Sequence, residues 1–79
     1  MEYNKNKVVV GKKQILRSLQ ENNVKRVQIA TDTDREYAEN IVHAARLHNV
    51  TVERRSTMNE IAAQYGIDVP SGAVAELKD

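Results

Sequence analysis

Short apolar segments alternate along this chain with segments whose apolar residues recur every three or four positions. Segments of the first kind are typical of buried strands, and those of the second kind are typical of amphipathic helices. The predicted strands cover residues 7–10, 24–30, 50–53 and 73–77, and the predicted helices cover residues 12–21, 34–48 and 58–65. Strands that alternate with helices favour a central sheet covered on both faces. We therefore predict an α/β fold, a single-domain three-layer α/β/α sandwich with a small central mixed sheet.

Helix ends carry recognisable signals. Thr33 with Glu36, and Thr57 with Glu60, have the spacing of a capping box, which predicts that each threonine caps the helix that follows it. Asn22 follows the first predicted helix, and asparagine tolerates the left-handed conformation in which helices often end. These signals support the predicted boundaries.

The length and composition limit the kind of site this protein can have. The chain has 79 residues, of which 41% are hydrophobic and 29% are charged. We expect one domain, residues 1–79, with a lean core and a functional site on its surface. The sequence contains no cysteine and no pattern typical of a signal peptide, membrane span or lipid anchor. We therefore expect no disulfide, no thiolate metal site and a cytoplasmic location.

The charge is unevenly distributed. The formal net charge is +1, yet residues 1–30 contain seven Lys and Arg against two Glu, and residues 31–79 contain five against nine acids. This asymmetry predicts a basic face that could bind a polyanion. The alternative is a lysine-rich amino-terminal part that is simply solvated.

The first helix is predicted to begin at a glycine directly after an apolar strand. The unpaired N–H groups and the positive dipole end of a helix attract anions. Lys12, Lys13 and Arg17 add formal positive charge to the same first turns. A partner that carries phosphate groups is the first expectation from this arrangement.

The second predicted strand runs into an acidic turn that contains Asp32 and Asp34. Paired aspartates after an apolar strand occur in phosphoryl-transferring enzymes, where one carboxylate attacks and the other transfers a proton. A chain of this size has neither a lid nor another acidic cluster to complete a magnesium site. Helix capping is the favoured interpretation, and it is compatible with one hydrogen bond to a ligand.

The loop over residues 67–72 is both apolar and stiff. Pro70 fixes one backbone dihedral and Gly72 frees another, so the loop could hold Val69 and Pro70 against a flat object such as a nucleobase. The alternative is that these residues tuck under the edge of the sheet. Ligands of open α/β sheets bind beyond strand ends, where this loop, the glycine-led helix and the acidic turn could converge.

Other candidate residues favour simpler interpretations. His43 and His48 lie five positions apart and hence on different helix faces, without an apparent third metal ligand. We therefore expect neither a metal nor a cofactor. Arg54 and Arg55 follow the third predicted strand, either as a solvated strand end or as auxiliary contacts to phosphate.

Taken in order, three of these segments resemble the kink-turn RNA-binding ribosomal protein family, called L-seven-Ae-like, and its small bacterial branch in particular. The resemblance covers residues 8–77. Its motifs read Gly11-Lys12-Lys13-Gln14, Ile29-Ala30-Thr31-Asp32-Thr33-Asp34 and Gly66-Ile67-Asp68-Val69-Pro70-Ser71-Gly72-Ala73-Val74-Ala75. The resemblance implies an α/β/α sandwich that grips sharply bent RNA beside tandem sheared G·A pairs.

The resemblance also implies particular contacts. Lys13, Gln14 and Arg17 match positions that read guanine edges, Asp34 matches an acceptor for an extruded base, and residues 69–72 match a loop that packs on that base. The residues expected to contact RNA are Gly11, Lys12, Lys13, Gln14, Arg17, Thr31, Asp34, Val69, Pro70, Ser71 and Gly72.

The sequence departs from the family pattern at a few positions. Lys13 and Gln14 stand where archaeal and eukaryotic members commonly have Asn-Glu, Met58 stands where some members have a lysine, and Gly72 stands where a larger residue can occur.

The leading hypothesis is a monomeric, non-enzymatic binder of kink-turn RNA, with ribosomal RNA or a structured leader RNA as its partner. A protein-interaction module on the same scaffold that has lost RNA binding is the alternative. A small phosphatase that uses Asp32 and Asp34 is the third.

Overall fold

The computed structural model describes residues 7–68 and 70–78. It contains every strand and helix that the sequence predicts, with bounds that differ by at most two residues. In chain order the elements are β1 (Val8–Val10), α1 (Lys12–Gln20), β2 (Val24–Ile29), α2 (Arg35–Leu47), β3 (Thr51–Glu53), α3 (Met58–Tyr65) and β4 (Ala73–Leu77).

The four strands form one mixed sheet in the order β1-β4-β2-β3. Strand β4 lies antiparallel to both β1 and β2, so that Ala75 is paired with Val9 on one side and Val27 on the other. Strand β3 runs parallel to β2 at the edge, with Val52 beside Val27. The predicted mixed sheet is confirmed.

Helices cover both faces of the sheet. Helices α1 and α2 pack side by side on one face, where Ile15, Leu19 and Ile41 are fully buried against Val27 and Ile29. Helix α3 packs on the other face, where a smaller cluster forms around its buried Ile61. This is the predicted three-layer arrangement, and its core is almost entirely aliphatic.

The start of α2 differs from the prediction. Thr33 is not the helix cap, because the Asp34 carboxylate accepts a hydrogen bond from the Tyr37 backbone N–H at 3.0 Å instead. The Thr33 N–H donates to the Ala30 carbonyl at 3.5 Å, and its side chain lies beside Gly72. Thr33 therefore belongs to the turn, and the helix begins one residue later at an equally good capping residue.

The other predicted helix ends are confirmed. Thr57 and Glu60 form a complete capping box, in which each side chain accepts a hydrogen bond from the other residue's backbone N–H. Asn22 adopts a left-handed conformation with φ of 56° after α1. Within the described residues, no helix is both long and apolar enough to cross a membrane.

A polar network that no sequence pattern predicts lies between α3 and the sheet. Arg26 donates to Glu76 at 2.8 Å, the Tyr65 hydroxyl donates to the same carboxylate at 2.6 Å, and Gln28 donates to the Tyr65 oxygen at 2.6 Å. Glu53 lies 3.7 Å from the Arg26 guanidinium. The network fixes Tyr65, the last residue of α3, to strands β2 and β4.

Candidate nucleic-acid interface

Helix α1 begins without a side-chain cap. Its N-cap residue is Gly11, which has φ of 95° and makes no side-chain hydrogen bond, and the first turn contains no acidic residue. By contrast, Asp34 caps α2 and Thr57 caps α3. The first N–H groups of α1 therefore have no side-chain acceptor at the cap, and Lys12 and Lys13 lie beside them at the positive end of the helix dipole, which is an arrangement that favours an anionic ligand.

An open concavity lies along the outer face of α1. Its lining residues are Lys13, Gln14, Leu16, Arg17 and Gln20. Three of the five carry the predicted guanine-reading roles, and all three are exposed. Two cationic groups and two amides in a concave surface offer hydrogen-bond donors, together with two amide acceptors, to a nucleic-acid edge. We call this surface the α1 concavity.

The glycine that starts α1 also joins it to the loop before β4. The Gly11 N–H donates to the Ala73 carbonyl at 3.2 Å, and the Ala30 N–H donates to the Gly72 carbonyl at 2.8 Å. These bonds bring the start of α1, the end of β2 and the start of β4 to one edge of the sheet. We call the edge marked by Gly11, Ala30 and Gly72 the rim.

The loop at the rim packs closely on the start of α2. A Cβ atom at position 72 would lie 2.3 Å from Thr33 Oγ1 and 2.9 Å from Tyr37 Cε1, so only glycine fits there without movement of its neighbours. The Lys12 ammonium lies 5.9 Å from the centre of the Tyr37 ring, within reach of a cation–π attraction. Tyr37 thus connects the loop, α2 and the first residue of α1.

The remaining loop residues have distinct positions. Pro70 is exposed, whereas Ser71 is half-buried, with its hydroxyl donating to the Ala73 carbonyl at 3.1 Å. The Ser71 side chain is therefore engaged within the loop, and its backbone is what remains for a ligand. Val69, which we expected to contact RNA, lies outside the described residues.

Both aspartates of the acidic turn accept hydrogen bonds from backbone N–H groups of helices. Asp32 accepts a hydrogen bond from the Met58 backbone N–H at 2.9 Å, which ties the turn to the first residue of α3. Asp34 is exposed and caps α2 through one carboxylate oxygen, Oδ2. Thr31 is exposed, and its backbone N–H donates to Ser56 at 2.9 Å. These contacts support the capping interpretation of the turn.

Neither histidine belongs to this surface. The His48 ring lies 3.4 Å from the Asn22 side chain. These two residues follow the carboxyl-terminal ends of α2 and α1, whereas the rim lies at the amino-terminal end of α1. His43 is exposed on α2. Across residues 7–68 and 70–78, no group of three His, Asp or Glu side chains could hold a metal ion.

Sequence reasoning missed four residues of this region. Leu16 and Gln20 line the α1 concavity, and a signal for them existed, because residues 13, 16, 17 and 20 share one helix face. Thr33 and Tyr37 lie against Gly72 through a packing contact between segments about forty residues apart, for which the sequence offers no local signal.

The fold and this surface define a small α/β/α domain in which a cationic helix start lies beside the close-packed Gly72. The chain is 35% identical over 72 residues to RNA-binding protein YbxF of Geobacillus stearothermophilus, a match that covers 91% of this chain and 88% of that protein. It is equally similar to RNA-binding protein GK0100 of Geobacillus kaustophilus and 33% identical to an RNA-binding protein of Geobacillus thermodenitrificans. The chain belongs to the family of these bacterial RNA-binding proteins. No protein-family model matches the sequence.

Solved structures share the fold at much lower identity. A 15.5kD RNA-binding protein of Giardia lamblia superposes with a TM-score of 0.84 at 19% identity, over 92% of this chain and 62% of that protein. A protein of unknown function from Bacillus halodurans superposes with a TM-score of 0.78 at 15% identity, over 92% of this chain and 72% of that one. At such identities the likeness shows the common fold alone.

Proposed function

We propose that this protein binds RNA and selects kink-turns, without catalysing a reaction. The observation that carries this proposal is the rim, where the uncapped start of α1 and its basic concavity lie beside the close-packed loop at Gly72. The names of the Geobacillus relatives support RNA as the partner. We further propose that the RNA is ribosomal RNA or a structured leader RNA, and that the protein is a cytoplasmic monomer.

In this proposal, different residues contact the backbone phosphates and the bases. The N–H groups at the start of α1 and the Lys12 ammonium bind backbone phosphates, which contributes affinity that falls as salt concentration rises. Lys13, Gln14 and Arg17 lie in the α1 concavity and reach the guanine edges of the sheared G·A pairs. Arginine and lysine donate to guanine O6 and N7, and an amide can both donate and accept.

The loop and the acidic turn contact the extruded base. Pro70 offers an exposed apolar face, and the loop that carries it is held by the Gly72 carbonyl bond to Ala30. Asp34 accepts a hydrogen bond from that base through the carboxylate oxygen that does not cap α2. Because Gly72 is packed against Thr33 and Tyr37 before RNA arrives, this part of the loop needs no new ordering on binding.

A surface of this kind acts by stabilising one RNA conformation. A ligand shifts a conformational equilibrium only by its difference in affinity for the two states. The α1 concavity and the loop contact two parts of the RNA that lie close together only when it is bent. The protein therefore favours the bent form.

A gel-shift titration tests the proposal with two RNAs, a kink-turn and the same RNA with its G·A pairs replaced by Watson–Crick pairs. We expect tight binding to the first and weak binding to the second. Gln14→Ala should reduce this preference about ten-fold, in line with about 1–3 kcal/mol for a good base contact. Lys12→Ala should instead weaken binding to both RNAs to a similar extent.

The matched control is Gln64→Ala, which removes the same side chain from an exposed position of α3 on the opposite face of the sheet. It should leave both affinities unchanged. Equal affinity of the unmodified protein for the two RNAs would overturn kink-turn selection. Absence of binding to either RNA would overturn RNA binding altogether.

A further inference from the structure

A second concavity lies on the outer flank of α2, where that helix meets the end of β3. Its lining residues are Glu39, Val42, His43, Arg46 and Arg54. The first four are spaced three, one and three residues apart, so they share one face of α2. Val42 is half-buried against the main core, and it forms the floor between the polar side chains. We call this surface the flank groove.

The flank groove has an excess of positive charge. Arg46 and Arg54 are both exposed, and neither takes part in an ion pair with any carboxylate of residues 7–68 or 70–78. The carboxylate of Glu39 accepts a hydrogen bond from Arg35 at 3.1 Å, so its charge is offset within the same helix.

The dipole of α2 explains the position of only one of these two arginines. Arg46 lies in the last turn of α2, where a cation is favoured by the carbonyl end of the helix. Arg54 follows a strand and has no such role. Two guanidinium groups from different elements, without an ion pair among the described residues, therefore line one groove, which fits a ligand with more than one anionic group.

The flank groove begins at the rim. Parallel strands β2 and β3 end at the same edge of the sheet, and Thr31 donates to Ser56 at 2.9 Å just beyond them. Arg54 is the first residue after β3, so it lies at this edge, and Arg46 lies further down α2. Strand β3 is three strand spacings from β1, about 14 Å, which is less than the width of an RNA double helix.

We propose that the flank groove binds backbone phosphates of an RNA helix that continues beyond the kink-turn held at the rim, with Arg46 and Arg54 as the contacts. This inference rests on the proposed function. It extends the RNA footprint from the α1 side of the domain, across the rim, to the outer flank of α2. Since phosphates carry no sequence information, the flank groove adds affinity and orientation but no base preference.

The test compares the unmodified protein with Arg46→Gln/Arg54→Gln on two kink-turn RNAs. One has minimal stems, and the other has each stem extended by a full helical turn. On the extended RNA, the double variant should bind more weakly, and the slope of log affinity against log salt should be smaller by about two units. On the minimal RNA the two proteins should bind equally. Preference for G·A pairs over Watson–Crick pairs should be the same for both.

The control Lys25→Gln/Lys78→Gln removes two exposed cations elsewhere and changes the net charge equally. It should keep the full slope on the extended RNA. If the arginine variant also keeps it, the flank groove does not bind RNA, and the proposed function stands. If the unmodified protein binds neither RNA, both proposals fail. Equal loss in the two double variants would also overturn the flank groove, because total charge would then explain the effect.

Discussion

At the scale of single residues, two glycines, Gly66 at the end of α3 and Gly72 at the rim, are required for different reasons. Gly66 ends α3 in a left-handed conformation with φ of 66°, and a Cβ atom there would meet nothing within 4 Å. Gly72 has no such backbone requirement, but a Cβ atom would overlap Thr33 and approach Tyr37. Backbone geometry requires glycine at position 66, and packing requires it at position 72.

The two glycines should therefore respond differently to a second substitution. Gly72→Ala should destabilise the protein by about 1–3 kcal/mol, as overpacking does, and Thr33→Ala in the same chain should recover part of that loss by removing the hydroxyl. Gly66→Ala should cost about 1–2 kcal/mol, the left-handed penalty for a residue with a side chain, without recovery by Thr33→Ala. Urea unfolding of the single and double variants measures these energies. A Thr33→Ala change that relieves both glycine variants equally, or neither, would contradict this explanation.

At the scale of elements, the sequence predicted the order and the type of every strand and helix, because the strands are short apolar segments and the helices repeat their apolar residues every three or four positions. It misplaced the start of α2 by one residue. Thr33 and Asp34 are both good caps, and the choice depends on the packing of Thr33 against Gly72, thirty-nine positions away. Local sequence patterns therefore predict the type and order of the helices and strands. They predict the first and last residue of an element only where no contact with a distant segment changes the capping residue.

The cap of α2 can be separated from the proposed RNA contact of the same residue. Asp34→Ala should cost about 1 kcal/mol of stability, whereas Asp34→Ser should keep most of it, because serine also accepts from the backbone. Both variants should weaken kink-turn binding, since a serine hydroxyl does not extend to the base. Thermal unfolding and gel shift measure the two effects.

Thr57→Ala is the matched control for this experiment, because it removes the cap of α3 on the other face of the sheet. It should lower stability by a similar amount and leave RNA affinity unchanged. If Asp34→Ser binds the kink-turn as well as the unmodified protein, Asp34 acts as a helix cap alone.

At the scale of the whole molecule, the polar network between α3 and the sheet has no signal in the sequence. Arg26 and Glu76 are 50 positions apart, and Gln28 and Tyr65 are 37 apart, so no local pattern joins them. The convergence at the rim could be anticipated, because each of its three segments adjoins the end of a predicted strand, where ligands of open α/β sheets bind. The network could not, because it depends on the register of β2 against β4 and on where α3 ends.

This network predicts that stability depends on pH at both ends of the scale. Burial alone would raise the pKa of Glu76, but the hydrogen bonds from Tyr65 and Arg26 outweigh it and lower that pKa below the ordinary 4.5. A lowered pKa contributes stability above about pH 4.5 that is lost as the pH falls through the folded value. Burial, together with the bond to Glu76, raises the pKa of Tyr65 from 10.0 to about 12. Its contribution is present below pH 10 and is lost as the pH rises towards 12.

Urea unfolding from pH 2.5 to pH 11.5 should separate the two contributions, with pH values chosen to bracket about 4.5 and about 10. Glu76→Gln should flatten the acid side of the stability profile, because it removes the carboxylate that must be protonated there. Tyr65→Phe should flatten the alkaline side and cost about 1 kcal/mol at neutral pH for the lost hydrogen bonds. Glu21→Gln, which neutralises an exposed carboxylate at the end of α1, should keep the acid slope. An acid slope that is the same in Glu76→Gln as in the unmodified protein would show that the carboxylate is not held by Arg26 and Tyr65 in solution, and α3 would then lack its tie to β4.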